Sequence, residues 1–148
     1  MAVNMLGEII APLFVPAHRP ELFAKAAASG ADAIILDLED AVPEDAKEAA
    51  RAALTAQLAR TGSAARFNGL PVLVRINAAG TRWHDADLAV LRDMPVAGII
   101  LPKAETAADI ARAALHHPII VLVETALGLA EARQIAQAEG VARLAFGS

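Results

Sequence analysis

The sequence contains no cysteine and no tyrosine, and aromatic residues make up only 3% of its 148 residues. Without cysteine there are no disulfides and no thiolate metal ligands, which favours a cytoplasmic location. Few aromatic rings and a formal net charge of -4 provide neither the stacking platforms nor the basic stripe that bind nucleic acid. We therefore expect no nucleic-acid partner.

Long apolar runs are also missing. No uncharged run approaches the ~18 residues of a membrane span, and the N-terminal residues lack the basic start and apolar core of a secretory signal. The chain is nonetheless 56% hydrophobic, and its length suits one domain with a substantial core. We expect one soluble domain over residues 1–148, without a membrane partner.

Three common nucleotide and hydrolase motifs are absent as well. The sequence has no Gly-x-Gly-x-x-Gly, no Walker loop and no Gly-x-Ser-x-Gly elbow. Dinucleotide binding, nucleoside-triphosphate binding and serine hydrolysis therefore lack their usual residues.

What the sequence does contain is a repeat of short aliphatic runs and longer alanine-rich stretches with charges at helical spacing. This alternation is typical of βα units that build a parallel sheet. Continuous aliphatic runs, rather than alternating ones, indicate strands covered on both faces. Six strands are predicted, which do not close an eight-stranded barrel of about 250 residues. They lie near Leu13, Ile34, Val72, Ile99, Ile119 and Leu144.

Capping and turn residues mark the intervening helices. A weaker helix spans Asp85 to Arg92, and Thr61 to Leu70 resembles a loop. The stronger helices run from Pro20 to Ser29-Gly30, from Pro43 onward, from Thr106 to Leu115, and from Thr125 to about Gly140.

Charged residues follow four of the predicted strands, and the carboxyl ends of parallel strands meet at one edge of a sheet. Glu124 follows the run Ile119–Val123. A carboxylate there could bind a hard divalent cation, or it could be an acid that stabilises the N-terminus of the following helix. The residue's position alone leaves both interpretations open.

Arg75 follows the strand Val72-Leu73-Val74 and presents fixed donors to a carboxylate, an enolate oxygen or a phosphate. It could equally pair with the acidic cluster Asp37, Glu39 and Asp40, and both roles can hold together. That cluster could bind metal, cap the chain before Pro43, or orient Arg75 and Lys103. We favour the orienting role.

Two further groups of charged or titratable residues are weaker candidates. Arg19 lies in the first βα turn, where it could receive an anionic group or simply be solvated. His116 and His117 fit the C-terminal end of a helix, where the dipole favours a cation.

Six motifs in order closely resemble the HpcH/HpaI aldolase and citrate lyase β-subunit family. The Asp-Leu-Glu-Asp-Ala-Val block is most similar to the citrate lyase β-like and malyl-CoA lyase-like branch. The motifs are Leu13-Phe14-Val15-Pro16 with Arg19-Pro20-Glu21, Asp37-Leu38-Glu39-Asp40-Ala41-Val42, Val74-Arg75-Ile76-Asn77, Leu101-Pro102-Lys103, Val123-Glu124-Thr125-Ala126 and Phe146-Gly147.

The resemblance implies an α/β fold, a TIM (β/α)8 barrel of the phosphoenolpyruvate/pyruvate type, of which this chain supplies about six βα units. It implies a Mg²⁺-dependent carbon-carbon lyase acting on an acyl-CoA thioester or a related oxo or hydroxy acid, in a homo-oligomer, commonly a trimer. Glu124 would bind the metal and Arg75 the substrate, making both catalytic.

The resemblance assigns further roles and shows two departures. Phe14 and Arg19 would line the acyl or CoA approach, while Asp37, Glu39, Asp40 and Lys103 would support the site. The family usually has Arg-Ser ahead of its Leu-Phe-Val-Pro block, whereas this chain has Ile10-Ala11-Pro12. A second metal carboxylate is expected in a Phe-Gly-x-x-Asp pattern, two residues past Ser148. The alternative is a truncated, noncatalytic CoA-binding or assembly module.

Overall fold

The computed structural model describes residues 2–60 and 65–147. The strands are β1 (Pro12–Pro16), β2 (Ala33–Asp37), β3 (Arg66–Phe67), β4 (Leu70–Arg75), β5 (Gly98–Pro102), β6 (Ile119–Val123) and β7 (Val141–Phe146). The helices are α1 (Ala2–Gly7), α2 (Phe23–Ala27), α3 (Lys47–Arg60), α4 (His84–Leu91), α5 (Ala107–Ala113), α6 (Ala126–Ala130) and α7 (Ala132–Ala136). Single 3-10 turns at Pro20–Leu22 and Glu44–Ala46 precede α2 and α3.

Six of the strands form one parallel sheet in the order β1-β2-β4-β5-β6-β7. Each step in that order joins strands that follow one another along the chain, apart from the two-residue β3, which pairs antiparallel with β4. Helices connect the parallel strands, as such crossovers require. The predicted α/β fold is confirmed as consecutive βα units of a TIM barrel, running from β1 at one edge of the sheet to β7 at the other.

The strands bury apolar side chains on both faces. On β2, Ile34 and Leu36 belong to the outer core that packs against the helices. Ile35, between them, belongs to a second, inner core together with Leu73 of β4 and Leu6 of α1. Each such side chain contributes roughly 1.5–3 kcal/mol when fully buried. The two-sided burial explains why the strand sequences read as continuous aliphatic runs.

The inner face changes character towards the carboxyl ends of the strands. Side chains two residues apart on a strand point to the same face, so Asp37 follows Ile35 and Arg75 follows Leu73 on the inner side. Glu124 follows Leu122 in the same way, immediately after β6 ends. The sheet therefore presents an apolar inner surface that ends in charged groups.

Two helix starts are fixed by threonine, as the sequence indicated. Thr106 forms a capping box with Asp109 at the start of α5, and the hydroxyl of Thr125 accepts a hydrogen bond from the main-chain N–H of Gly128 at 3.0 Å. A Cβ atom at Gly128 would lie 2.9 Å from the carbonyl oxygen of Ala104. Glycine therefore lets α6 pack closely against the chain that follows Lys103.

Two local predictions were wrong, and one helix was missed. The predicted helix from Thr125 to about Gly140 is two short helices that meet at Glu131. The segment predicted as a loop contains β3, although residues 61–64 lie outside the described residues. Helix α1 was not predicted, because six residues carry too little periodicity to indicate a helix. Among the helices described, none has both the length and the apolar character needed to cross a membrane.

Candidate active site

The carboxyl ends of the parallel strands bring most of the candidate residues to one rim. Asp37 and Arg75 are the last residues of β2 and β4 and lie side by side in register. Lys103 follows β5, and Glu124 follows β6. Phe14, Arg75 and Glu124 line one concave surface on the inner side of the sheet, with inner-core residues such as Leu73 forming its floor.

Arg75 is held by a fork of two hydrogen bonds. Its Nε donates to Oδ1 of Asp37 and its Nη2 donates to Oδ2, each at 2.7 Å. Its guanidinium carbon lies 4.6 Å from the centre of the Phe14 ring, a cation-π contact. The side chain is thus fixed on one edge and one face, and its remaining nitrogen, Nη1, is directed towards Glu39 at 3.4 Å from Oε2.

Asp37 accepts hydrogen bonds from the main chain as well as from Arg75. The residue is fully buried, and its two carboxylate oxygens also accept the main-chain N–H groups of Glu39 and Ala41, each at 2.9 Å. Burial alone would raise the pKa of Asp37, but the hydrogen bonds from Arg75 and from these two N–H groups outweigh it and lower the pKa below its ordinary value.

Glu39 is the second buried acid of the rim. One of its oxygens, Oε1, forms an ion pair with Nζ of Lys103, while Oε2 is buried without a hydrogen-bond partner. Burial raises the pKa of Glu39, and the attraction of Lys103 and Arg75 does not fully offset it. For the more exposed Lys103 burial is the largest single influence, yet the pair with Glu39 prevails and raises the pKa of its ammonium group.

The backbone of Lys103 is unusual. Its φ of 53° lies in the left-handed region, which few residues other than glycine adopt. Such backbone strain is common at functional sites. This conformation accompanies the contacts of Nζ with Glu39 and with the exposed Asp40, at 3.6 Å from Oδ1.

Glu124 differs from the other acids of the rim: among the described residues no basic group lies within ion-pair distance of it, although Lys103 is near enough to feel its charge. Its Oε1 atom is buried and has no hydrogen-bond partner. An unpaired buried carboxylate oxygen is costly, so this atom fits a site that receives a cation. Across residues 2–60 and 65–147, however, no group of three or more histidine, aspartate or glutamate side chains is arranged to hold a metal ion. The fit to a metal therefore rests on Glu124 as a single protein ligand among the described residues.

A carboxyl titration tests the electrostatics of this rim. We expect carbon-13 NMR to give Asp37 a pKa below 3.8 and Glu39 a pKa above 4.5. The stabilisation from Asp37 should be complete above its unfolded pKa and be lost as the pH falls through its lower folded pKa. For Glu39 the sign is opposite. Above its raised folded pKa, the ionised carboxylate lowers the stability of the fold, and this penalty is relieved as the pH falls towards 4.5.

A midpoint for Asp37 above 3.8, or a midpoint for Glu39 below 4.5, would contradict the burial and pairing described here.

Among the described residues, Arg19, His116 and His117 do not line this concave surface. The Arg19 side chain is about half exposed and forms an ion pair with Glu21, two residues along the chain. His117 is bonded through Nε2 to the carbonyl oxygen of Leu91 at 2.7 Å. His116 and His117 line a surface depression beside α4 and α5, so neither histidine joins the rim.

A buried polar network behind the rim was missed in the sequence. Lys47, Asn77 and Asp87 are all nearly inaccessible to solvent and are linked by hydrogen bonds. The available signals were slight: Lys47 and Arg51 lie four residues apart on an alanine-rich helix, and Asn77 follows a strand end by two residues. Either pattern also describes ordinary solvated residues.

Fold and site together define a class of protein: an α/β barrel whose rim combines a clamped guanidinium with an unpaired carboxylate. Residues 11–148 match the model of the HpcH/HpaI aldolase/citrate lyase family. The chain belongs to that family.

Among its relatives, a citrate lyase subunit beta-like protein of Mycobacterium tuberculosis is 43% identical over 136 residues, which is 92% of this chain and 46% of the relative. A (3S)-malyl-CoA thioesterase of Cereibacter sphaeroides is 39% identical over 127 residues, 84% of this chain and 43% of that protein. The chain thus spans about half the length of the curated relatives it matches.

Solved structures agree with this assignment. The M. tuberculosis citrate lyase beta subunit complexed with oxaloacetate and magnesium superposes with a TM-score of 0.83 at 40% identity, over 99% of this chain and 60% of that one. A structure of the M. tuberculosis CitE protein with magnesium, acetoacetate and coenzyme A gives a TM-score of 0.81 at 42% identity, over 95% of this chain and 49% of that one.

Proposed function

We propose that this chain is the β1-to-β7 part of a Mg²⁺-dependent carbon-carbon lyase. Its substrate would be an acyl-CoA thioester or a related oxo or hydroxy acid, as for a citrate lyase β subunit. The observation that carries the proposal is the concave rim on which Arg75, clamped by Asp37, lies with the unpaired carboxylate oxygen of Glu124. A cytoplasmic location, expected from the lack of cysteine, and trimeric assembly, implied by the family resemblance, belong to the same proposal.

The charges at the rim favour the binding of a cation. The four carboxylates of Asp37, Glu39, Asp40 and Glu124 outnumber the basic groups of Arg75 and Lys103, even when Lys47 behind them is counted, so the rim is formally anionic. A divalent ion would compensate this excess, and oxygen ligands are those that Mg²⁺ prefers. Glu124 would hold the ion through its carboxylate.

The reaction requires stabilisation of a developing negative charge. Aldol or Claisen cleavage breaks a carbon-carbon bond and leaves the electron pair on an enolate, whose charge lies on oxygen. A bound divalent cation acts as a Lewis acid towards such an oxygen. Arg75 can donate from Nη1 to the substrate, and its fixed position means that little reorganisation is needed as charge develops.

The relatives in C. sphaeroides favour a second candidate activity, hydrolysis of the thioester. Both activities place an anionic oxygen near the same cation and guanidinium, so the rim alone is compatible with either one. The products of malyl-CoA distinguish them. Carbon-carbon cleavage gives glyoxylate and acetyl-CoA, whereas hydrolysis gives malate and free CoA thiol.

The direct test combines calorimetry with product analysis. We expect the chain to bind malyl-CoA at least about tenfold more tightly in Mg²⁺ than in EDTA, equivalent to ~1.4 kcal/mol. Any turnover should yield glyoxylate without free thiol. Free thiol as the main product would favour the hydrolase. Binding of CoA esters with the same affinity in Mg²⁺ and in EDTA would contradict the lyase proposal and favour a noncatalytic CoA-binding or assembly module.

A further inference from the structure

The ammonium group of Lys47 lies directly behind the acidic segment of the rim. Lys47 is the first residue of α3 and is only 5% exposed. Its Nζ donates to the carbonyl oxygens of Leu38 and Glu39, each at 2.7 Å, and to Oδ1 of Asn77 at 2.8 Å. An ammonium group has three N–H bonds, so all of its donors are used inside the protein.

Two of those three bonds reach the main chain that carries the rim carboxylates. Leu38 and Glu39 follow Asp37 directly, and the segment then bends so that the N–H groups of Glu39 and Ala41 return to the Asp37 carboxylate. Lys47 therefore fixes this segment from the outside through its carbonyl groups, while Asp37 fixes it from the inside through its N–H groups.

The third bond extends the tether to the next βα unit. Because Oδ1 of Asn77 accepts from Lys47, its Nδ2 is oriented to donate to the carbonyl oxygen of Leu38 at 3.0 Å and to Oδ2 of Asp87 at 2.7 Å. Asp87 also accepts from Arg51 of α3. The network thus joins the chain after β2, the chain after β4, α3 and α4.

Burial of the Lys47 side chain lowers the stability of the fold. Burying an ammonium group carries a large desolvation penalty, and burial lowers the pKa of Lys47 despite its acidic neighbours. An aliphatic side chain would fill the space between helix and sheet without that penalty. The Trp83 ring also covers the ammonium, with Nζ 5.2 Å from its centre. The desolvation penalty is explained if Lys47 is needed to hold the segment whose carbonyl groups it binds.

We propose that Lys47 is a positioning residue. By binding the carbonyl groups of Leu38 and Glu39, it holds the Asp37–Asp40 segment in the conformation that clamps Arg75 and pairs Glu39 with Lys103. The inference rests on the proposed function only in that these groups form the rim of the site.

Amide hydrogen exchange tests the tether itself. In Lys47→Met, which keeps an unbranched side chain and removes the donors, exchange at Glu39 and Ala41 should accelerate at least tenfold relative to Val74 in β4. The matched control is Leu54→Ala, a buried residue on the same helix. It should lower overall stability and leave that ratio unchanged. An unchanged ratio in Lys47→Met would overturn the inference.

A measurement on the unmodified chain keeps the test decisive if Lys47→Met does not fold. The Lys47 ammonium hydrogens should exchange slowly and correlate across hydrogen bonds with the carbonyl carbons of Leu38 and Glu39 in NMR spectra. Rapid exchange without such correlations would overturn the inference.

Ligand binding separates this inference from the proposed function. Mg²⁺-dependent binding of oxaloacetate should be at least tenfold weaker in Lys47→Met and unchanged in Leu54→Ala. Unchanged binding in Lys47→Met would contradict the positioning role. If the unmodified chain shows no metal-dependent binding, the proposed function fails, and the exchange ratio alone decides whether Lys47 holds the segment.

Discussion

Replacing Asp37 with alanine is expected to lower the free energy of unfolding by about 3–5 kcal/mol, the usual cost of removing one partner of a buried ion pair. The substitution leaves the largely buried Arg75 without its two 2.7 Å hydrogen bonds. It also removes the acceptor of the Glu39 and Ala41 N–H groups. Urea unfolding followed by circular dichroism measures the change.

The matched control is Asp85→Ala. Asp85 pairs with Arg112 on the exposed surface, where both side chains are mostly accessible to solvent. Exposed ion pairs contribute about 1 kcal/mol or less, so this substitution should have a small effect. Similar losses for the two variants would mean that the Asp37-Arg75 pair is not the buried clamp described here.

The substitution Glu124→Gln is expected to have the largest effect on ligand binding. Glutamine keeps the size of the side chain and removes its charge, so a cation loses its one described protein ligand. Removing even indirect supports of a metal ligand typically costs 10–100-fold in affinity. We therefore expect Mg²⁺-dependent binding of oxaloacetate to weaken about 100-fold or more, as measured by calorimetry.

Stability should respond differently from binding in this variant. Because Oε1 of Glu124 is buried without a hydrogen-bond partner, and an unpaired buried charge is costly, removing the charge should not lower the free energy of unfolding. Glu139→Gln is the control, since Glu139 is exposed and precedes β7 at the opposite end of the sheet. Retention of full metal-dependent binding in Glu124→Gln would remove Glu124 from the site.

The contact between Arg75 and Asp37 was within reach of sequence reasoning. Both residues end aliphatic runs, and in a parallel sheet such ends meet at one edge. Arg75 pairs with Asp37 and Lys103 pairs with Glu39, and the orienting role of the acidic cluster stays a prediction. Whether these residues bind substrate or metal stays a prediction, as does the extent of the domain over residues 1–148.

The Lys47 network was beyond sequence reasoning for a physical reason. A lysine in an alanine-rich helix usually lies in solvent with only its stem buried. Its burial here depends on how α3 lies across the carboxyl ends of β2 and β4, which is a tertiary contact. The division of the last predicted helix at Glu131 is, by contrast, a local feature: the backbone leaves helical geometry there at φ -90°, ψ 3°.

The most direct test of the central claim is a crystal structure of the chain with Mn²⁺ and oxaloacetate. Manganese is a suitable probe because it accepts the same oxygen ligands as magnesium and gives an anomalous signal. We predict an anomalous peak about 2.1 Å from Oε1 of Glu124, with an oxaloacetate oxygen in contact with Nη1 of Arg75. Oxaloacetate bound without a cation, or a peak elsewhere with the Glu124 carboxylate turned away from the concave surface, would contradict the account.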